Sequence, residues 1–275
     1  MHALRPAAVA GLFYPAAPAP LNAQIERYLA DAARAVAADA AVPKAVIVPH
    51  AGYVYSGRVA AAAYARLAPA RGRIDRVVLL GPAHRVHLHG LALPDCAAFQ
   101  TPLGPVEVDP QAAELVPWIP ASAIAHAGEH SLEVHLPFLL AVLGRFRLVP
   151  LVVGGASTQE VANALEALWG DERTLIVVSS DLSHYLPYAE GRVEDEATAR
   201  RIIALDVGID HEHACGATPV NGLLEVARRK GLVVEQLDLK SSGDTAGTRD
   251  EVVGYGAFAF VEPAAWSPTA AVSRG

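Results

Sequence analysis

Four apolar, strand-like segments of the sequence each end close to a residue that can bind a metal or transfer a proton. The first two lead into His50 and His84, the third leads into Asp181 and His184, and the fourth leads into Asp244. In open α/β sheets, ligands bind outside the carboxyl ends of the strands. The recurrence of this pattern predicts one shared site, and the residue types predict that the site is chemical.

The two histidines that follow the first two segments are the strongest candidate metal ligands. His50 directly follows Pro49, which ends the strand and leaves the imidazole facing the crevice; a hydrogen bond to a nearby carbonyl is the alternative. His84 follows a Gly-Pro pair, and His87 and His89 come soon after it. Alternation along a strand would place these last two on one face. His84 is therefore the better ligand, and the other two are predicted to lie at the rim or in solvent.

The SSDLSHY segment places Asp181 and His184 three residues apart. This spacing predicts that both side chains lie on one side of a helical turn. A carboxylate beside an imidazole can orient the ring and raise its basicity, as a general base requires. The alternative is that Asp181 is a helix N-cap and that His184 is its incidental neighbour. Because histidines follow two other strands, the functional interpretation is favoured.

Two further positions complete the candidate set. His130 and Glu133 are three residues apart in a segment predicted to form a helix over 130–143, in which Pro137 produces a kink or marks a late start. Both residues are second-tier catalytic candidates. Part of this helix could instead be a solvated face. Asp244 lies in a glycine-rich turn whose residue types are common in turns. Only its position after a predicted central strand makes it a candidate metal ligand.

Two histidines with one carboxylate form the facial triad of non-haem Fe(II) oxygenases. Histidine-rich sites with a carboxylate also suit Zn²⁺, which activates water. The spacing of the residues does not choose between these metals. The sequence has no P-loop, no GxGxxG after a strand and no GxSxG elbow, so nucleotide-binding and serine-hydrolase functions have no support.

Strand and helix patterns alternate along the chain, which predicts an α/β fold: a mainly parallel, mixed sheet with helices on both faces. Residues 1–263 are predicted to form one domain, and residues 264–275 a flexible tail. The predicted strands span residues 44–49, 75–80, 146–154, 174–179, 232–240 and 252–262. The main predicted helices span residues 21–38, 56–67, 161–170, 192–205 and 219–230.

Composition narrows the class of protein. The chain has 275 residues, of which 52% are hydrophobic and 19% charged, and a net charge of −7. This balance predicts a well-filled core and argues against nucleic acid or a membrane as partner. Two cysteines provide no disulfide framework, and no apolar run is long enough for a membrane span, so we expect a cytoplasmic protein.

Ordered motifs over residues 5 to 262 resemble the Memo family, in its bacterial branch named AmmeMemoRadiSam system protein B. The motifs are AGLFYP, PHAGYVYSG, LLGPAH, EHSLEVHLPFL, SSDLSHY, ACGATPV, and SSGD with VVGYGAFAF. The resemblance implies the fold of class III extradiol dioxygenases, in which two histidines and a glutamate hold Fe(II) and a further histidine is the acid/base.

The resemblance also implies roles for residues. His50 and His84 match the family's two metal-site histidines, and Asp181 and His184 match its DxxH pair. Where the animal Memo protein has a cysteine, this chain has a turn in which Asp244 is the nearest ligand, or less well Thr245.

Three functions follow as hypotheses. The first is an Fe(II) oxygenase that acts on a small, aromatic or enediol-like molecule; the second is a zinc hydrolase on the same scaffold. The third is a non-catalytic protein that binds a metal or a peptide, and Cu is a further possible metal. The family name implies association with AMMECR-type and radical SAM proteins.

Overall fold

Parallel strands form the centre of a mixed sheet. The computed structural model describes residues 4–263, so the predicted tail, 264–275, lies outside the described residues. The strands are β1 (Leu4–Arg5), β2 (Ala45–Val48), β3 (Arg76–Pro82), β4 (Leu91–Ala92), β5 (Ala98–Thr101), β6 (Gly104–Glu107), β7 (Arg147–Val153), β8 (Thr174–Ser179), β9 (His184–Leu186), β10 (Val233–Ser241) and β11 (Val252–Val261).

The helices occupy the segments between these strands. They are α1 (Pro18–Ala33), α2 (Tyr53–Ala65), α3 (Ala112–Leu115), α4 (Ala123–Ala127), α5 (Leu136–Leu143), α6 (Thr158–Leu168), α7 (Tyr188–Ile203) and α8 (Ala217–Lys230). Within residues 4–263, no helix is both long and apolar enough to cross a membrane.

The strand order in the main sheet is β10-β11-β2-β8-β3-β7-β4. The four neighbours β2, β8, β3 and β7 run parallel, whereas β11 is antiparallel to both β10 and β2. The predicted mainly parallel, mixed sheet is therefore confirmed. Strand β9 pairs with the first residues of β11. Strands β1, β5 and β6 form a separate small sheet.

Both faces of the main sheet are buried, as the continuous apolar runs of its strands predict. In β2, Val46 and Val48 pack into the core that includes Leu21 of α1 and Leu139 of α5. Ile47, between them, packs into the opposite core with residues of α6 and α8. Alternating side chains of one strand therefore fill two cores, and polar residues of the central strands emerge at the strand ends.

Of two local predictions, one is confirmed in part and one is wrong. The segment predicted to be helical over 130–143 has a 3₁₀ turn at residues 133–135, and the α-helix begins at Leu136, which is the late start predicted as one of two effects of Pro137. Pro137 lies in the first turn of α5, where its missing N–H costs no helical hydrogen bond. The predicted helical turn after β8 is instead a loop that leads into β9 at His184.

Candidate metal centre and cleft

Three adjacent parallel strands deliver polar residues to one edge of the sheet. Strands β2 and β3 lie on either side of β8. His50 comes two residues after β2, His84 two after β3 and Asp181 two after β8. Val48 is paired in register with Ser179, so the residues beyond these strands emerge at the same level. A common edge therefore collects side chains that are far apart in sequence.

A cleft of about 1060 Å³ opens at this edge. Five of the seven predicted site residues line it, namely His50, His84, His130, Asp181 and His184. Aromatic side chains form much of the remaining wall, and they are Phe13, Tyr55, Tyr185 and Tyr255. The cleft thus combines titratable groups with surfaces suited to a ring.

Three imidazoles in the cleft could hold a metal ion. His50, His84 and His130 each offer a ligand atom, and these atoms lie within 4.8 Å of one another. The rings of His84 and His130 stack with centroids 4.8 Å apart, and the ring of His50 lies 5.2 and 5.5 Å from them. His130, predicted as a second-tier catalytic residue, therefore lies where a third ligand would be.

Asp244 does not lie at this centre. Its carboxylate accepts hydrogen bonds from the Tyr188 hydroxyl at 2.6 Å and from the backbone N–H of Ser241 at 2.9 Å. It caps a 3₁₀ turn and lines a separate, small pocket with Arg192 and Lys240 rather than the histidine cleft. Local turn contacts fix this carboxylate outside the histidine cleft, so the prediction that Asp244 is the third ligand gains no support from its position.

Glu129 attaches the segment that carries His130 to the end of β3. Its carboxylate accepts hydrogen bonds from the backbone N–H groups of His84, His130 and Ser131 at 2.6, 2.9 and 2.9 Å. The Ser131 hydroxyl in turn donates to the carbonyl of Pro82 at 2.9 Å. One buried carboxylate therefore fixes two candidate ligands relative to each other.

The same carboxylate orients the ring of His84. Glu129 Oε1 lies 3.0 Å from His84 Nδ1, so Nδ1 is the protonated nitrogen and Nε2 is left free for a metal. Burial alone would raise the pKa of Glu129, but hydrogen bonds from His84 and Ser131 lower it to about 2. The group is therefore a carboxylate throughout the neutral range.

A different hydrogen-bond chain orients His50. Ser179 Oγ lies 2.6 Å from His50 Nδ1, 2.8 Å from His135 Nε2 and 2.6 Å from the carbonyl oxygen of Ser131. The carbonyl can only accept, so the single hydroxyl proton of Ser179 goes to it. Both imidazole nitrogens must then donate to Ser179. His50 therefore carries its proton on Nδ1 and presents an unprotonated Nε2.

The hydrogen bond between Tyr64 and His135, the last in this series, is consistent with these proton positions. The Tyr64 hydroxyl lies 2.7 Å from His135 Nδ1 and donates to it, since His135 Nε2 holds the ring's proton. Burial is the main cause that lowers the pKa of both His50 and His135, the latter to about 3. Both rings are therefore neutral at pH 7.

The donor set fits a divalent metal. Imidazoles bind metals in the neutral form. Burial, with the charges of His84 and Arg85, lowers the pKa of His130 to about 4, against the opposing effect of Glu129. His130 Nδ1 is buried and has no hydrogen-bond partner, although Glu129 Oε1 lies 3.4 Å away. An imidazole with a spare buried nitrogen beside two oriented ones is a suitable third ligand.

The predicted pairing of Asp181 with His184 is wrong, although both line the cleft. Asp181 Oδ1 accepts from the backbone N–H of His50 at 2.7 Å. His184 Nδ1 donates to the carbonyl of Leu182 at 2.8 Å, so the backbone rather than a carboxylate orients its ring. His184 is thereby left with a free Nε2. Burial lowers the pKa of His184 and raises that of Asp181 to about 7.

Glu133, predicted as a second-tier catalytic residue, makes buried structural contacts outside the cleft. Its fully buried carboxylate accepts from Arg5 Nη1 at 2.5 Å, from the Tyr14 hydroxyl at 2.6 Å, and from the backbone N–H groups of Ala8 and Val9. It does not line the cleft. Its role is to attach the N-terminal segment to the segment that precedes α5.

Cys215 also lines the cleft, with its Sγ 3.5 Å from His50 Nε2. Burial and the neighbouring Asp181 raise the pKa of this thiol to about 12. The group is therefore a neutral thiol at pH 7, which does not support a nucleophilic role. By contrast, His87 and His89 are exposed, with Nε2 atoms 3.2 Å apart, and neither lines the cleft.

Comparisons with known proteins agree with this architecture. The sequence model of the family described as "Memo-like protein" matches residues 5–259. The chain is 36% identical over 271 residues to a MEMO1 family protein of Aquifex aeolicus, covering 92% of this chain and 97% of the relative. It is 35% identical over 269 residues to one of Archaeoglobus fulgidus, with the same coverage of both chains. A MEMO1 family protein of Aeropyrum pernix is 37% identical over 235 residues, covering 77% of this chain and 81% of the relative. The chain belongs to the Memo family.

Proposed function

We propose that this protein is a non-haem metal enzyme of the oxygenase type that acts on a small aromatic or enediol-like molecule, with Fe(II) as its metal. The observation that carries the proposal is the convergence of His50, His84 and His130 at a cleft that His184 also lines. When bound, such a metal would supply Lewis-acid and redox chemistry. Three protein ligands would leave further coordination positions for a substrate.

The chain's own residues would divide the remaining work. His50, His84 and His130 would hold the ion, and Glu129 and Ser179 would keep two of these rings in the correct orientation. His184 would accept or return a proton at Nε2, because its Nδ1 is committed to Leu182. Its lowered pKa keeps it neutral and able to act as a base at pH 7.

A second candidate function is supported by the donor set. An all-imidazole site, rather than two histidines with a carboxylate, is the ligand set of zinc hydration enzymes. Under this proposal Zn²⁺ is the metal, the reaction is hydrolysis, and His184 is the base that removes a proton from water.

One experiment distinguishes the two. Metal-free protein is reconstituted anaerobically with Fe(II) or with Zn²⁺, and O₂ uptake with a catechol panel is compared with hydrolysis of simple esters. We expect O₂ uptake only with Fe(II), slowed about 10²-fold or more by His184→Ala. His87→Ala is the matched control, because that histidine lies outside the cleft. Ester hydrolysis with Zn²⁺ and no O₂ uptake would overturn the oxygenase in favour of the hydrolase.

A further inference from the structure

Arg85 stands out among the residues of the cleft because its charge is not neutralised. It is the only Lys or Arg among the described residues that line the cleft. Its guanidinium is exposed and makes no hydrogen bond or ion pair with any residue in the range 4–263, unlike the ion-paired Arg5 or Arg66. A free guanidinium in a binding cleft is available to a ligand.

The position of this charge is next to the metal centre. Arg85 directly follows His84 in the sequence. Its side chain packs near Gly128: a Cβ atom added to that glycine would lie 3.8 Å from Arg85 Cγ. Gly128 is two residues before His130, and both Arg85 and His130 line the cleft. Arg85 is therefore beside two of the three candidate ligands.

The acidic residues of the cleft do not pair with Arg85. Glu194 Oε1 lies 3.0 Å from His213 Nε2, and Asp181 is held by the backbone of His50. Glu212, the third, has no ion pair with Arg85. With a divalent ion at the histidines, the electrostatic field in this part of the cleft would favour an anion.

The aromatic side chains that line the cleft favour a ligand that also has a planar, apolar part. Tyr185 lines the cleft with 71% of its surface exposed, and its backbone is left-handed, with φ at 60°. Such a conformation is unfavourable for a bulky residue and is found most often at functional sites. Strand pairing at His184 and Leu186 holds it on both sides. Tyr185 therefore presents a large aromatic surface to the cleft from a backbone that is held on both sides.

We propose that the substrate of this cleft is a carboxylate-bearing aromatic or enediol compound whose carboxylate binds Arg85. The planar guanidinium fork matches a carboxylate in a bidentate manner, which gives direction as well as charge. The other end of such a molecule approaches the histidines. This inference rests on the proposed function, since it assigns the substrate class of the same site.

Binding to protein loaded with Zn²⁺ tests the inference without turnover. Calorimetric titrations compare catechol, 3,4-dihydroxybenzoate and the neutral 3,4-dihydroxybenzamide. We expect the acid to bind at least about tenfold more tightly than the amide, the contribution of one charge-assisted pair. Arg85→Gln should abolish this advantage without changing the metal content, and Arg85→Lys should restore part of it. Arg145→Gln is the matched control, because Arg145 is exposed, forms no ion pair with the other described residues and precedes β7, at the opposite edge of the sheet.

The pattern of binding separates failure of this inference from failure of the proposed function. If catechol binds and the acid has no advantage over the amide, the anion subsite is overturned and the proposed function stands. The anion subsite is likewise overturned if the Arg85→Gln variant keeps the advantage of the acid. If none of the three compounds binds to the metal-loaded protein, both the subsite and the proposed substrate type are overturned.

Discussion

The hydroxyl of Ser179 accepts a hydrogen bond from His50 Nδ1 at 2.6 Å, and its own proton is committed to the carbonyl of Ser131. Because these atoms are buried, water cannot exchange for either partner. This relationship decides which nitrogen of His50 faces the cleft. A residue in the core of the sheet thus controls the chemistry of a candidate ligand at its edge.

Ser179→Ala should weaken metal binding about 10- to 100-fold, the usual effect of losing a partner that orients a ligand. In the variant His50 Nδ1 loses its acceptor, and both tautomers become accessible. Chelator competition measures the affinity, and ¹⁵N NMR of the metal-free protein reports the tautomer of His50. Thr198→Val is the control, since it removes another buried hydroxyl, one with no hydrogen-bond partner. Unchanged affinity and a single His50 tautomer in Ser179→Ala would refute this role.

Glu129→Gln should also lower metal affinity by about 10- to 100-fold. The amide NH₂ of glutamine would face donors that now share a carboxylate, so the hold on His84 and on the His130 segment weakens. Amide hydrogen exchange at residues 129–131 should quicken in parallel. Glu114→Gln, at an exposed residue of α3, should change neither quantity. Normal affinity in Glu129→Gln would show that the carboxylate does not organise the site.

Glu133→Gln should destabilise the fold by about 3 kcal/mol or more, because it leaves a buried guanidinium without its counter-charge. Chemical denaturation measures the loss. If the folded variant still binds metal with native affinity, Glu133 acts on stability alone, as its position outside the cleft predicts. A drop in metal affinity at unchanged stability would contradict that assignment.

His126 should make the protein less stable as the pH falls. Burial lowers its pKa in the folded state to about 4, below the value near 6.5 of an unfolded chain. The unfolded state therefore takes up a proton first, and stability is lost between about pH 6.5 and 4, by up to about 3 kcal/mol. Urea unfolding of the protein and of His126→Gln at pH 7, 6 and 5 isolates this contribution. We expect the wild-type protein to lose stability relative to the variant as the pH falls. If the free energies of unfolding of the two proteins change in parallel with pH, His126 does not make this contribution.

The fold and two of the three candidate ligands, His50 and His84, can be predicted from the sequence for a simple physical reason. An apolar run that ends in Pro-His, as before His50, or in Gly-Pro-Ala-His, as before His84, indicates both the buried strand and the polar residue at its end. His50 and His84 are found in this way, because their positions depend on local sequence and on the general rule for parallel sheets.

The remaining features of the centre, above all the residues that orient the ligands, depend on contacts between distant segments. Glu129 and Glu133 are four residues apart in one motif, yet Glu129 binds His84 and Glu133 binds Arg5. The hydrophobic periodicity of the segment does not indicate which of these two carboxylates lies at the site. The carboxylate of Asp244 is hydrogen-bonded within its own turn and lies outside the cleft, which its spacing from a strand end does not reveal. Ser179 and Tyr64 gave no sequence signal beyond ordinary core positions, apart from the polar SS pair at the end of β8.

We propose that His50, His84 and His130, rather than Asp244, hold one divalent metal. Metal-free protein and the single variants His50→Ala, His84→Ala, His130→Ala and Asp244→Ala are titrated anaerobically with Fe(II) and with Zn²⁺. Metal per chain is then measured after desalting, and circular dichroism confirms the fold of each variant. We predict about one metal per chain for the wild type and for Asp244→Ala, and near zero for each histidine variant. Retention of the metal by His130→Ala together with its loss from Asp244→Ala would contradict the account.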